Sequence, residues 1–137
     1  NKNLLNIDSI VEMKDDENRT ILWHSINNKN IEFVKMILKS DKVDMNATDS
    51  DGKSYLHLSI ENDFDEIVEI LMNKKDIDLN YKSKEGYGLI EIGLNKNKFS
   101  SVSTLLKNER IEKELTESFF LLNNAPENLE YLVDIFT

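Results

Sequence analysis

Apolar residues recur along the chain at three- and four-residue intervals, in short runs divided by polar turns. Phe33, Val34, Ile37 and Leu38 fall on one helical face, and the runs "IVEILM" (Ile67 to Met72) and "SVSTLL" (Ser101 to Leu106) keep helical spacing. The pattern predicts paired short helices near Thr20–Asn27 and Ile31–Lys39, Ser54–Glu61 and Asp65–Asn73, and Leu89–Asn95 and Ser100–Lys107, with a last pair near Glu117–Leu122 and Glu127–Ile135. Asn27–Asn28, Asn62–Asp63, Asn95 and Asn97 mark the connections, because Asn and Asp tolerate the left-handed backbone of a tight helix-to-helix turn. An all-α chain is expected.

The pairs are copies of one unit. "NRTILWHSI" (Asn18 to Ile26), "GKSYLHLSI" (Gly52 to Ile60) and "GYGLIEIGL" (Gly86 to Leu94) align at an offset of 34 residues. Val34, Val68 and Val102 share that register, as do Ile37, Leu71 and Leu105. "NLEYLVDIF" (Asn128 to Phe136) matches "NIEFVKMIL" (Asn30 to Leu38) in a fourth copy shortened by four residues. "VDMN" (Val43 to Asn46) and "IDLN" (Ile77 to Asn80) lead into the turns.

These residues resemble the ankyrin repeat, whose pattern runs roughly D-x-x-G-x-T-P-L-H-x-A-A, then G-H-L-E-I-V-x-x-L-L and D-V-N. The second copy fits best, with Asp49, Gly52, Ser54, Leu56, His57, Ser59, Glu66, Ile67, Val68 and Leu71, and with Asp44 and Asn46 before its turn. One residue added before "VDMN" and "IDLN" lengthens the family period to 34. The chain departs from the pattern at the proline position, held by Ile21, Tyr55 and Leu89, and at the histidine position, held by Trp23 and Glu91 in copies one and three. The resemblance implies an ankyrin-repeat solenoid of stacked helix-turn-helix units with short hairpin fingers. Residues 1–13 would be the tail of a preceding repeat, 14–47, 48–81 and 82–115 full repeats, and 116–137 a divergent shortened one. A chain opening on Asn1 is expected to be a piece of a longer protein.

Composition narrows the function classes. The chain has 137 residues, 31% of them charged, and a net charge of −9. Phosphates repel such a chain, which argues against nucleic acid as its main partner. There is no cysteine, hence no disulfide or thiolate metal site, and a reducing cytoplasmic setting is expected. No run approaches the ~20 apolar residues of a membrane helix, so no membrane insertion is expected.

Individual motifs have bland readings. Asp49 to Gly52 looks like a calcium loop, but placing Gly52 at its sixth position puts Ala47 at the first and Leu58 at the twelfth, neither of which supplies a side-chain oxygen. Asp49 is instead expected to bond the turn backbone, with Gly52 taking a positive φ. His24 and His57 belong to no Ser-His-Asp or H-E-x-x-H arrangement, so structural roles are expected and no catalytic residue or cofactor is assigned. The resemblance implies that His57 ties neighbouring repeats through a backbone bond, and Trp23 is expected to pack between repeats. The N-x-T sequences at Asn18 and Asn46 are read as accidental.

A solenoid repeat touches only its neighbours, so its faces run on as continuous surfaces. The resemblance implies that a concave face of turn tips and first-helix ends binds another protein. Its contact positions are, in copy one, Lys14, Asp16, Glu17, Arg19, Asn27 and Asn28; in copy two, Thr48, Ser50, Asp51, Lys53, Glu61 and Asn62; in copy three, Lys82, Lys84, Glu85, Tyr87, Asn95 and Lys96. Tyr87 is the expected anchor, and the lysines of copy three suggest a partner with an acidic segment. The expected function is a non-enzymatic protein-interaction module, the alternative a structural spacer or a recruitment segment of an enzyme or membrane-traffic regulator. The apolar fourth copy, Val133 and Phe136 above all, is expected to meet a further domain or a second copy of the chain.

Overall fold

The 34-residue register reappears as three identical turns and three helix pairs. The computed structural model describes residues 7–110. Within them lie α1 (Ile7–Ile10), α2 (Ile21–Asn27), α3 (Ile31–Ile37), α4 (Tyr55–Glu61), α5 (Asp65–Met72), α6 (Leu89–Asn95) and α7 (Phe99–Leu106). Helices α2 to α7 begin within one residue, and end within two, of the positions predicted by the apolar spacing. Extended pairing among the described residues is limited to one antiparallel bridge, Thr48 to Ser54. The expected helices at Glu117–Leu122 and Glu127–Ile135, and the surface assigned to Val133 and Phe136, lie outside the described residues.

Each unit opens with a finger closed by the same two backbone bonds. The N–H groups of Asp15, Asp49 and Ser83 donate to the carbonyls of Arg19, Lys53 and Tyr87, and those of Asn18, Gly52 and Gly86 donate back to Asp15, Asp49 and Ser83. The turn needs a positive φ at its fourth position, which Gly52 (79°) and Gly86 (89°) adopt freely and Asn18 adopts at 64°. The Asp15 and Asp49 carboxylates each accept two N–H groups of their own finger, whereas Ser83 Oγ accepts one, from Tyr87. Asp49 thus serves the turn.

The first helix of each unit is capped where it leaves the finger. Thr20 and Ser54 accept the N–H groups of Trp23 and His57. Gly88 has no side chain to offer, and Glu91 reaches back from the first turn of α6 to accept the Gly88 N–H at 3.1 Å. That bond explains why a glutamate stands where the family pattern has histidine.

The helix-to-helix connections correct one expectation. Their left-handed residues are Lys29 (φ 54°), Asp63 (57°) and Asn97 (60°), again 34 apart. Copy one therefore places a lysine, not Asn27 or Asn28, in the strained position. Repeat geometry fixes where the chain must reverse, and Lys29 bears the ~1–2 kcal/mol side-chain penalty.

The core is a stack of equivalent residues. Leu22, Leu56 and Ile90, then Ile26, Ile60 and Leu94, then Val34, Val68 and Val102, then Ile37, Leu71 and Leu105 are all at most 4% exposed. α4 packs on both α2 and α6, while α5 packs on α3 and α7. Side chains pin the loops to adjacent repeats. Asn46 donates to the Asp76 carbonyl and accepts the Asp78 N–H, which occupies both ends of its amide. Lys74 Nζ donates to the Leu38 carbonyl, and Arg110 places its guanidinium on the carbonyls of Met72, Lys74, Lys75 and Ile77.

Gly93 shares the register of Ser25 and Ser59, both buried. A methyl group at Gly93 would stand 2.5 Å from Val102 Cγ2 and 3.4 Å from Ile60 Cγ2. Alanine normally favours a helix interior by about 1 kcal/mol over glycine. Here overpacking wins, and Gly93→Ala should destabilise the chain by about 1–3 kcal/mol in urea unfolding. Adding Val102→Ala should cost less in the Gly93→Ala background than in the native chain; full additivity would show that the two do not clash.

Candidate functional site

Fingers and first-helix ends share one side of the stack. At the junction of copies two and three they enclose a groove of about 490 Å³. Asp51 and Lys53 come from the second finger, Ser83, Lys84, Glu85 and Tyr87 from the third, His57 and Glu61 from α4, and Ile92, Asn95 and Lys96 from α6 and its cap. Residues far apart in sequence meet there because successive fingers sit side by side.

His57 forms the floor. It is 6% exposed, and its Nδ1 lies 2.9 Å from the Tyr81 hydroxyl. Tyr81 donates its single proton to the Gly52 carbonyl. Its oxygen must therefore accept from His57, which puts the histidine proton on Nδ1 and leaves Nε2 a bare acceptor in the neutral ring. Burial holds His57 below its ordinary pKa, against the pull of Glu61, and burial pushes Tyr81 up to about 12. The backbone tie is relayed, His57 reaching Tyr81 and Tyr81 the Gly52 carbonyl, and it lies within residues 48–81 rather than joining neighbouring repeats as expected.

Above the floor lies a small ionic network. Lys53 Nζ donates to Glu61 Oε1 at 2.8 Å, while Lys96 Nζ stands 3.6 Å and His57 Nε2 3.7 Å from Glu61 Oε2. Burial alone would raise the Glu61 carboxyl, but Lys53, then His57 and Lys96, outweigh it and hold it below its usual range. The hydrogen bond to Glu61 raises Lys53 in turn. Lys84 Nζ donates to the Ser50 carbonyl and so clips the third finger to the second.

The same register at the first junction is filled differently. Trp23 stands where His57 stands one unit later, is 9% exposed, and donates its indole N–H to Asp49 Oδ2 at 2.9 Å. The Arg19 guanidinium lies 4.3 Å above the ring and pairs with Glu17 at 2.5 Å. Tyr55, at the family proline position, hydrogen-bonds Thr20 across this junction. At this junction an indole with arginine stacked on it stands where the imidazole of His57 stands one unit later.

Residues 2–83 match the family model described as ankyrin repeats, three copies. The chain belongs to the ankyrin repeat family. Comparison with curated proteins gave no match. The matched span ends inside the third finger, yet the third ankyrin unit continues with the same finger bonds and core register. Ankyrin repeats are generally protein–protein interaction modules.

Eight of the sequence-derived contact positions, Asp51, Lys53, Glu61, Lys84, Glu85, Tyr87, Asn95 and Lys96, line the groove. The others stand apart from it. Asp16, Glu17 and Arg19 are on the first finger, Asn27 and Asn28 end α2, and Ser50 anchors Lys84 on the second finger. The Asn62 side chain turns back onto the Leu58 carbonyl, and Lys82 is exposed outside the lining. Sequence reasoning passed over Ser83, Ile92 and the His57–Tyr81 relay. Tyr81 left a trace, since Ala47 holds its register one unit earlier.

Among the described residues no group of three or more His, Asp or Glu is placed to hold a metal ion, and no helix is long and apolar enough to cross a membrane.

Proposed function

We propose that the groove between the second and third ankyrin units binds a segment of another protein, and that the chain acts as a non-enzymatic interaction module of a larger intracellular protein. The observation that carries this reading is the convergence of Tyr87, Asn95 and the Lys53–Glu61–Lys96 network around one open groove above a buried histidine. Lys53, Glu61, Lys84 and Lys96 around it are held by bonds and ion pairs within the array, which lowers the entropic cost of binding. Tyr87 offers an aromatic face with a polar tip, the kind of side chain on which interface energy concentrates.

The test is capture with the immobilised chain followed by mass spectrometry. A partner retained by the native chain should be weakened at least tenfold by Tyr87→Ala with Asn95→Ala, at unchanged helix content. Substitution of Lys35 and Glu69, exposed on α3 and α5, should change binding little. A partner that is lost with the outer pair and kept with the groove pair would refute the proposal.

A further inference from the structure

The charged groups of the groove divide into those already engaged and those left open. All three lysines are engaged: Lys53 and Lys96 with Glu61, and Lys84 with the Ser50 carbonyl. The open groups are acceptors. Asp51 and Glu85 are exposed at the finger tips, and neither side chain has a hydrogen bond or ion pair among the described residues. On the floor, His57 Nε2 has no hydrogen-bonding partner among the described residues, although His57 is only 6% exposed, and Glu61 Oε2, 3.7 Å away, is itself an acceptor.

Asp51 and Glu85 also hold one register position. Glu17, Asp51 and Glu85 follow each other at 34-residue spacing, so one carboxylate stands at the same place on each successive finger. Glu17 is partly neutralised by Arg19, but its exposed neighbour Asp16 adds a second carboxylate to that tip. Packed helices lie about 8–10 Å apart. A polyproline II segment has three residues per turn and rises about 3.1 Å per residue, so every third side chain of such an extended segment returns to one face after about 9 Å and keeps step with successive fingers.

We infer that the occupant of the groove is an extended, donor-rich protein segment carrying Arg or Lys at every third position, its cations meeting Asp51, Glu85 and the Asp16–Glu17 tip and one neutral N–H reaching His57 Nε2. The donor to His57 is neutral because burial at the groove floor disfavours a charged group there. The net charge of −9 attracts such a segment from a distance. The inference rests on the groove being a protein-binding site. It reverses the acidic partner suggested by the lysines of copy three, because of the two that line the groove Lys84 is hydrogen-bonded and Lys96 ion-paired within the array.

The test uses the 137-residue chain and three fluorescein-labelled pools of degenerate nine-residue peptides. One has Arg fixed at positions 2, 5 and 8, one has Arg at 4, 5 and 6, and one has Glu at 2, 5 and 8. Fluorescence anisotropy should show the spaced-Arg pool binding at least tenfold more tightly than the Glu pool and several-fold more tightly than the clustered-Arg pool. Asp51→Asn with Glu85→Gln should remove that advantage, and Glu69→Gln on the outer face should not. Equal binding of the two Arg pools, or binding indifferent to Asp51→Asn with Glu85→Gln, would overturn the inference. Tighter binding of the Glu pool, weakened by Tyr87→Ala, would overturn it while sparing the groove as a protein site. Failure of all three pools to bind would count against both.

Discussion

Leu56→Ala should remove about 2–5 kcal/mol of stability, the usual cost of emptying a buried leucine site. Leu56 is 1% exposed, and its helix α4 packs on α2 before it and α6 after it. The void therefore opens on a helix that two junctions share. In a solenoid, stability is the sum of unit terms and nearest-neighbour terms, so the loss should spread to copies one and three. Urea unfolding followed by circular dichroism should show the lowered midpoint. Hydrogen exchange should show weakened protection in α2 and α6 as well as α4. A change within error, or one confined to α4, would contradict the stacked account.

Trp23→Ala should be comparably damaging, at about 3–5 kcal/mol. The indole fills the first junction, carries the stacked Arg19, and donates to Asp49 Oδ2, a group in a residue only 7% exposed. Asp49 also holds the second finger through the N–H groups of Asp51 and Lys53. Losing the indole N–H leaves one buried carboxylate oxygen unpaired, and so disturbs the finger as well as the core. Trp23→Phe separates the effects, because it keeps most of the ring volume and loses the donor. It should fall between native and Trp23→Ala in urea unfolding. A Phe variant as stable as the native chain would show that the bond to Asp49 contributes nothing.

The fold was legible because its determinants are local and repeated. Leu22, Leu56 and Ile90 are buried by one geometry applied three times, so their register is visible in a single sequence. The turn formers were legible for the same reason, since Gly52 and Gly86 carry their conformation in their chemistry. Lys29 was not, because nothing in a lysine announces a positive φ; only its offset from Asp63 and Asn97 does.

The groove was half legible. Its rim follows from the family resemblance carried onto each copy, which is how Asp51, Glu85 and Tyr87 were reached. Its floor depends on which side chain fills the volume at the Trp23 and His57 position, and on a hydrogen bond from His57 to Tyr81. Neither is visible in local periodicity. The same holds for the ionic network, where Lys53 crosses from a finger to the end of α4. Read along the chain, the copy-three lysines suggested an acidic partner; folded, the two that reach the groove have partners within the array.

The central claim is that the ankyrin array binds through the finger side of its second and third units. It is tested most directly by hydrogen–deuterium exchange on the chain with and without the protein it captures. The account predicts new protection of backbone amides at residues 50–53 and 83–87 and at the ends of α4 and α6 near Glu61 and Lys96. Protection confined to the second helices α3, α5 and α7, with the fingers unchanged, would contradict it.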